Sequence, residues 1–141
     1  MFKAIVIGTD GSETAGQALE QACGLAKSVG ASLHVVSAYD PVGGAKVGEE
    51  GLEVSVTPTF EVEAVLQAAA GKGNADGVEV ETYARRGDPS DAILDVAEEQ
   101  GADLIIVGSK GMRGAKRFLL GSVPDKISHH APCSVMIVRT N

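Results

Sequence analysis

Apolar and polar residues alternate along the chain in two distinct rhythms. Short, nearly unbroken apolar runs occur at Phe2–Gly8, Ser32–Tyr39, Asp103–Gly108 and Ser134–Arg139, and a β-branched, alternating run at Val78–Ala84. Runs of this length and composition predict strands, and continuous apolarity predicts burial on both faces. Between them lie stretches with helical spacing. Ala15, Ala18, Leu19, Ala22, Cys23, Leu25 and Ala26 mark a helix from Glu13 to about Val29, closed by Gly30. Thr57-Pro58 reads as a cap with proline in the first helical position, opening a helix to about Ala70 that Gly71, Gly73 and Gly77 break. Asp88-Pro89 repeats that start, and Ala92, Ile93, Val96 and Ala97 form the stripe of a helix to about Gln100, ended by Gly101. Ser122 with Asp125 three residues on resembles a capping box for a last helix, to about His130.

Strands therefore alternate with helices from end to end. That order predicts an α/β fold: one parallel sheet, helices on both faces, right-handed crossovers. The 141 residues fit a single domain, 1–141. Ligands of such sheets sit at the carboxyl ends of the strands, where strand order reverses. Asp40 to Thr57 has no period and holds Gly43, Gly44, Gly48 and Gly51, so it reads as a long loop.

Composition narrows the function. The formal net charge is −7, which argues against a nucleic-acid surface, since phosphate backbones are held by clustered Lys and Arg. No run of ~20 apolar residues is present, so no membrane span is expected. The N-terminus enters a strand directly and shows no secretion signal, making the cytoplasm the expected compartment. Cys23 and Cys133 are distant in sequence and form neither a disulfide framework nor a zinc motif; both read as small apolar residues on packed elements.

One segment runs against the acidic balance. Val107–Ser122 holds four glycines and four of the twelve basic residues: Lys110, Arg113, Lys116 and Arg117. Gly108, Gly111 and Gly121 can adopt positive φ and admit a ligand to the backbone, whose N–H groups can cradle phosphate oxygens. Ser122 stands at the start of the last helix, where the dipole favours an anion. Its hydroxyl can bond a phosphate or cap the helix. The glycines can also serve turns alone. Asp10, after the first strand, can accept a ribose hydroxyl, help hold a metal ion, or cap the first helix. The Walker pattern is absent, and the chain reads G-T-D-G-S where a dinucleotide fingerprint would need G-x-G-x-x-G. No nucleophile–base–orienter set and no metal-ligand spacing stands out.

These residues resemble the universal stress protein family. The resemblance runs through I-V-I-G-T-D-G-S, L-H-V-V-S-A-Y, G-D-P-S-D-A-I-L-D-V-A, A-D-L-I-I-V-G-S-K-G, L-L-G-S-V-P-D-K-I and A-P-C-S-V-M-I-V-R. Its most specific part is the ATP-binding signature of one branch: Gly108-Ser109-Lys110-Gly111, nine residues, then Gly121-Ser122. The resemblance implies a Rossmann-like sheet of five strands in order 3-2-1-4-5. It implies a nucleotide held by Thr9, Asp10, Ala38, Val107, Gly108, Lys110, Gly111, Arg113, Gly121, Ser122, Val123 and Pro124. Adenine would lie on the backbone near Ala38, and Asp10 would meet the ribose or a magnesium ion. It further implies a homodimer through Ser134–Arg139. With no nucleophile–base set in view, the expected function is a regulatory binding module whose nucleotide changes its affinity for a protein partner. S-A-Y-D, the glycine loop and G-S-V-P resemble a subgroup that binds cyclic AMP, with Tyr39 and the Thr57–Phe60 region over the base. A slow ATP phosphohydrolase, with Asp10 or Asp40 at the magnesium, is the enzymatic alternative.

Overall fold

The computed structural model describes residues 1–39, 60–109 and 120–140. Five strands, β1 (Ala4–Gly8), β2 (Ser32–Tyr39), β3 (Val80–Arg86), β4 (Leu104–Gly108) and β5 (Ser134–Val138), form one parallel sheet in the order β3-β2-β1-β4-β5. The helices among the described residues are α1 (Glu13–Val29), α2 (Phe60–Ala75), α3 (Pro89–Glu99) and α4 (Ser122–His130). The expected α/β architecture and strand order are therefore present.

The apolar runs are continuous because the sheet is covered twice. Ile5, Ile7, Leu33, Val35, Leu104 and Ile106 pack on Ala18, Leu19, Ala22 and Ala26 of α1 and Leu66 and Ala69 of α2. Val6, Val36, Ile105 and Val107 point the other way, onto Ala92, Ile93, Val96 and Ala97 of α3 and Ile127 of α4. Each fully buried Ile or Leu side chain contributes roughly 1.5–3 kcal/mol. Cys23 is buried in the first of these layers and Cys133 half-buried beside the second, both as free thiols whose pKa values burial raises.

Two helix starts follow the sequence closely. Ser12 caps α1 by accepting from the Ala15 N–H at 3.2 Å, and Asp88 caps α3 by accepting from the Asp91 N–H at 3.1 Å ahead of Pro89. Gly30 ends α1 in the left-handed conformation, φ 75°.

Several expectations need correction. α2 does not stop at Gly71 but runs to Ala75. Gly73 is buried inside it because a Cβ there would collide with the Val80 side chain: the glycine serves close helix–strand packing, not a turn. The expected cap at Thr57-Pro58 lies outside the described residues. β3 begins at Val80 rather than Val78 and reaches Arg86, because β2 offers it register partners from Leu33 to Tyr39.

Candidate functional site

The sheet opens at one place on its carboxyl edge. β1 and β4 pair only as far as Ile7↔Ile106, while β1 follows β2 to Gly8↔Val36 and β4 follows β5 to Gly108↔Val138. Strand order reverses between β1 and β4, the location at which open α/β sheets bind ligands. An apolar cleft of about 30 Å³ lies there. Gly8, Val107 and Gly108 form its floor, Thr14, Ala15 and Ala18 of α1 one wall, and Ile93 with Val123 and Pro124 of α4 another.

The glycines act here by having no side chain. A Cβ on Gly8 would collide with the tip of Ile93, and one on Gly108 would lie 3.3 Å from Thr140 Cγ2 and 3.8 Å from Ala18 Cβ. The expected positive φ is not the reason. Gly108 is ordinary strand, and Gly121 has φ −65° and ψ 165°. Gly11, in the turn after β1, does need its freedom: φ is 82°, and a Cβ would approach Val65 Cγ2 to 2.7 Å.

That turn is held by its own polar groups. The Thr9 N–H donates to Val36 O at 2.9 Å, the Gly11 N–H to Thr9 Oγ1 at 3.2 Å, and the Ser12 N–H to Asp10 Oδ1 at 2.9 Å. Asp10 is therefore not the cap of α1, which is Ser12; its exposed carboxylate organises the turn beside the cleft. A single carboxylate suits a magnesium ion that takes most of its remaining ligands from phosphate and water. Among the described residues no group of three or more His, Cys, Asp or Glu converges as a protein-held metal would need.

The described ends of the glycine-basic segment are bonded to each other. The Gly121 N–H donates to Ser109 O at 3.0 Å, so the two halves of the signature meet at the cleft. Ser109 is a junction: its N–H also donates to Val138 O at 2.7 Å, and its Oγ accepts from the Thr140 N–H at 3.1 Å. The capping box expected at Ser122 is displaced by one residue. Gly121 occupies the cap position without a side-chain bond, and Ser122 is the first helical residue, exposed. The first-turn N–H groups of Ser122 and Val123 have no intrahelical acceptor, and Pro124 has no N–H to satisfy.

The structure thus gathers Val107, Gly108, Val123 and Pro124 in the cleft lining, with Thr9 and Asp10 in the turn after β1, Gly121 at the cap of α4 and Ser122 as its first residue. Ala38 lies near the end of β2, half-buried, in register with Arg85, and does not line the cleft. Lys110, Gly111 and Arg113 lie outside the described residues, as does Asp40. Sequence reasoning missed Thr14, Ile93 and Thr140. Thr140 is 4 % exposed, and its Oγ1 is the one buried side-chain polar atom among the described residues with no hydrogen-bond partner.

A serine–histidine contact exists, but at the wrong end of the molecule. Ser32 Oγ and His34 Nε2 are 3.1 Å apart at the amino-terminal end of β2, opposite the cleft. Among the described residues no helix is long and apolar enough to cross a membrane.

The model of the universal stress protein family matches residues 1–139. Universal stress protein YxiE of Bacillus subtilis is 36% identical over 148 residues, covering 99% of this chain and 100% of that protein. A universal stress protein solved in complex with cAMP is 31% identical, with a TM-score of 0.75 over 99% of this chain and 98% of that one. The universal stress protein from Archaeoglobus fulgidus in complex with dAMP is 26% identical, with a TM-score of 0.70 over 96% of each chain. With the family model matched over almost every residue, this chain belongs to the universal stress protein family.

Proposed function

We propose that this protein binds an adenine nucleotide, ATP by its signature, at the opening between β1 and β4, and that occupancy regulates its association with a protein partner in the cytoplasm. One observation carries the reading: the Gly121 N–H to Ser109 O bond joins both halves of the glycine signature at that opening. Anionic oxygens would meet the first-turn amides of α4, with the dipole in their favour. Lys110 and Arg113 would add charge-assisted bonds, Asp10 the ribose or magnesium contact, and the end of β2 near Ala38 the adenine contact. The cAMP and dAMP complexes of relatives support the adenine class. The same cAMP complex supports a second reading, in which cyclic AMP is the preferred ligand. Hydrolysis of ATP has less support, since no described nucleophile–base pair stands at the cleft. A homodimer through Ser134–Arg139 belongs to the same proposal.

The test is to denature the purified protein and identify released small molecules by mass spectrometry, then to titrate ATP, ADP, AMP and cyclic AMP calorimetrically with magnesium. ATP binding at least about tenfold tighter than cyclic AMP, a difference of ~1.4 kcal/mol, supports the first reading. The reverse order favours the second. Binding of none overturns both. Gly121→Val should weaken whichever nucleotide binds, by closing the approach to the start of α4.

A further inference from the structure

The chain turns back into the cleft after β5, and it brings a hydroxyl there with nothing to bond. Thr140 lies two residues beyond the end of β5. Its N–H is fixed to Ser109 Oγ at 3.1 Å, and its methyl sits over Gly108, where a side chain would come within 3.3 Å of it. These contacts aim the residue at the opening between β1 and β4, where it lines the cleft with Thr14 and Val123. Its Oγ1 is buried without a hydrogen-bond partner. Buried hydroxyls are normally paired, and an exception calls for an explanation such as a ligand or a bound water. The residue as a whole is 4 % exposed, so its hydroxyl has little access to solvent.

We propose that Thr140 is a phosphate-contacting residue of this site. It rests on the nucleotide reading and deepens it. Its Oγ1 donates a hydrogen bond to a phosphate oxygen that enters the cleft beside the start of α4. The cleft of about 30 Å³ admits one water-sized group, such as a single phosphate oxygen. The α4 amino terminus, which shares the cleft through Val123 and Pro124, favours an anionic oxygen over a neutral one. A hydroxyl donates to an anionic oxygen more strongly than to a neutral group. The contact also ties occupancy to the end of β5, because Ser109 bonds both Val138 O and the Thr140 N–H.

The experiment compares wild type, Thr140→Val and Thr140→Ser by calorimetry against ATP, AMP and adenosine, and by thermal melting without nucleotide. Thr140→Val is close to isosteric and removes only the hydroxyl. It should weaken ATP and AMP by roughly ten- to a hundredfold, the loss of a hydrogen bond to a charged group, with adenosine unchanged. Thr140→Ser should stay within about threefold of wild type, since it keeps the hydroxyl. The nucleotide-free Val variant should melt no lower than wild type, because its unpartnered hydroxyl is gone. Unchanged ATP affinity in Thr140→Val overturns the contact and leaves the nucleotide site standing. A lower melting temperature with unchanged affinity shows that the hydroxyl serves the fold and overturns the contact equally. Equal weakening of adenosine overturns the phosphate assignment. If wild type binds none of the three, both this contact and the nucleotide reading fall. Should Thr140→Val not fold, Thr140→Ala answers the same question of affinity.

Discussion

The two edges of the sheet are built on opposite principles. β3 guards itself. Its sequence V-E-T-Y-A-R-R carries three charges, and its side chains are tied down: Arg85 makes a two-pronged pair with Glu99 of α3 at 3.0 and 2.8 Å and lies over the Tyr83 ring. Tyr83 in turn reaches into the sheet, its hydroxyl 2.9 Å from His34 Nδ1 and donating to Glu81 Oε1 at 3.2 Å. β5, S-V-M-I-V, has no charge, and Met136 and Ile137 are 37% and 40% exposed. Charged side chains on an edge strand block pairing with a second chain, and an apolar edge invites it. The difference teaches that one flank is charged and tied down within the protomer, while the other is an exposed apolar edge of the kind the proposed homodimer would cover. The open flank is also the one whose last residues lead into the cleft.

The largest effect should come from charging the open edge. Ile137→Lys is expected to abolish self-association through β5, read as a fall in mass to that of the 14.4 kDa protomer in sedimentation equilibrium. Protomer stability should change by no more than about 0.5 kcal/mol, as for surface positions generally. Thr82→Lys, on the exposed β3 edge, should leave the mass as in wild type. An unchanged mass for Ile137→Lys, or a wild type that is already monomeric, would remove β5 as the contact and with it the functional half of the comparison.

The same contrast sets what could be read from sequence. β1, β2 and β4 lie inside the sheet, so burial on both faces wrote them as apolar runs such as Ile5-Val6-Ile7, legible without a structure. β3 was displaced by two residues because an edge strand carries polar residues, and Arg85 and Arg86 look like loop. Glycines were ambiguous for a physical reason. Gly30 and Gly77 take positive φ and end elements, but Gly73 exists to let α2 approach Val80, and only the fold distinguishes the two uses. The candidate site was legible where it is local, in the spacing from Gly108 to Gly121-Ser122. It was illegible where it depends on contact: nothing in an isolated threonine after a strand marks Thr140 as buried against Gly108. The cap of α4 slipped by one residue because Gly121, with no side chain to signal a cap, holds that position.

A smaller effect should follow from loosening the guarded edge. Tyr83→Phe removes the hydroxyl from His34 Nδ1 and should cost about 1–2 kcal/mol in urea unfolding at neutral pH, since a buried ring nitrogen loses its partner. The same site sets a pH dependence. Burial holds the His34 imidazole below its ordinary 6.5, with Glu81 and Glu79 opposing. A histidine depressed in the folded state is protonated first in the unfolded chain. Stability is therefore complete above about pH 6.5 and falls as pH drops toward the folded value, with a slope of at most ~1.4 kcal/mol per pH unit. His34→Gln should flatten this part of the curve. A wild-type stability that rises on acidification from pH 7 to 6 would show that the buried imidazole is not the group that titrates.

The smallest effect is expected at the Arg85–Glu99 pair, although its geometry is the best of the described ion pairs. The two side chains are 32% and 48% exposed, so water screens the attraction, and exposed pairs contribute little even when well aligned. The Arg85 guanidinium holds the Glu99 carboxyl below its usual 4.5. A carboxylate depressed in the folded state stabilises above its unfolded pKa, and that contribution is lost as pH falls through the folded value. Glu99→Gln should therefore differ slightly from wild type at pH 7 and merge with it as pH falls through the lowered folded pKa of Glu99, below which both carry an uncharged side chain. Its self-association should match wild type, because Glu99 lies on α3 and all three charges of β3 stay in place. A loss at pH 7 larger than that of Tyr83→Phe, or one that does not shrink as pH falls below 4.5, would mean that the pair acts through packing rather than charge, and that the guarded edge is a folded wall whose charges are incidental.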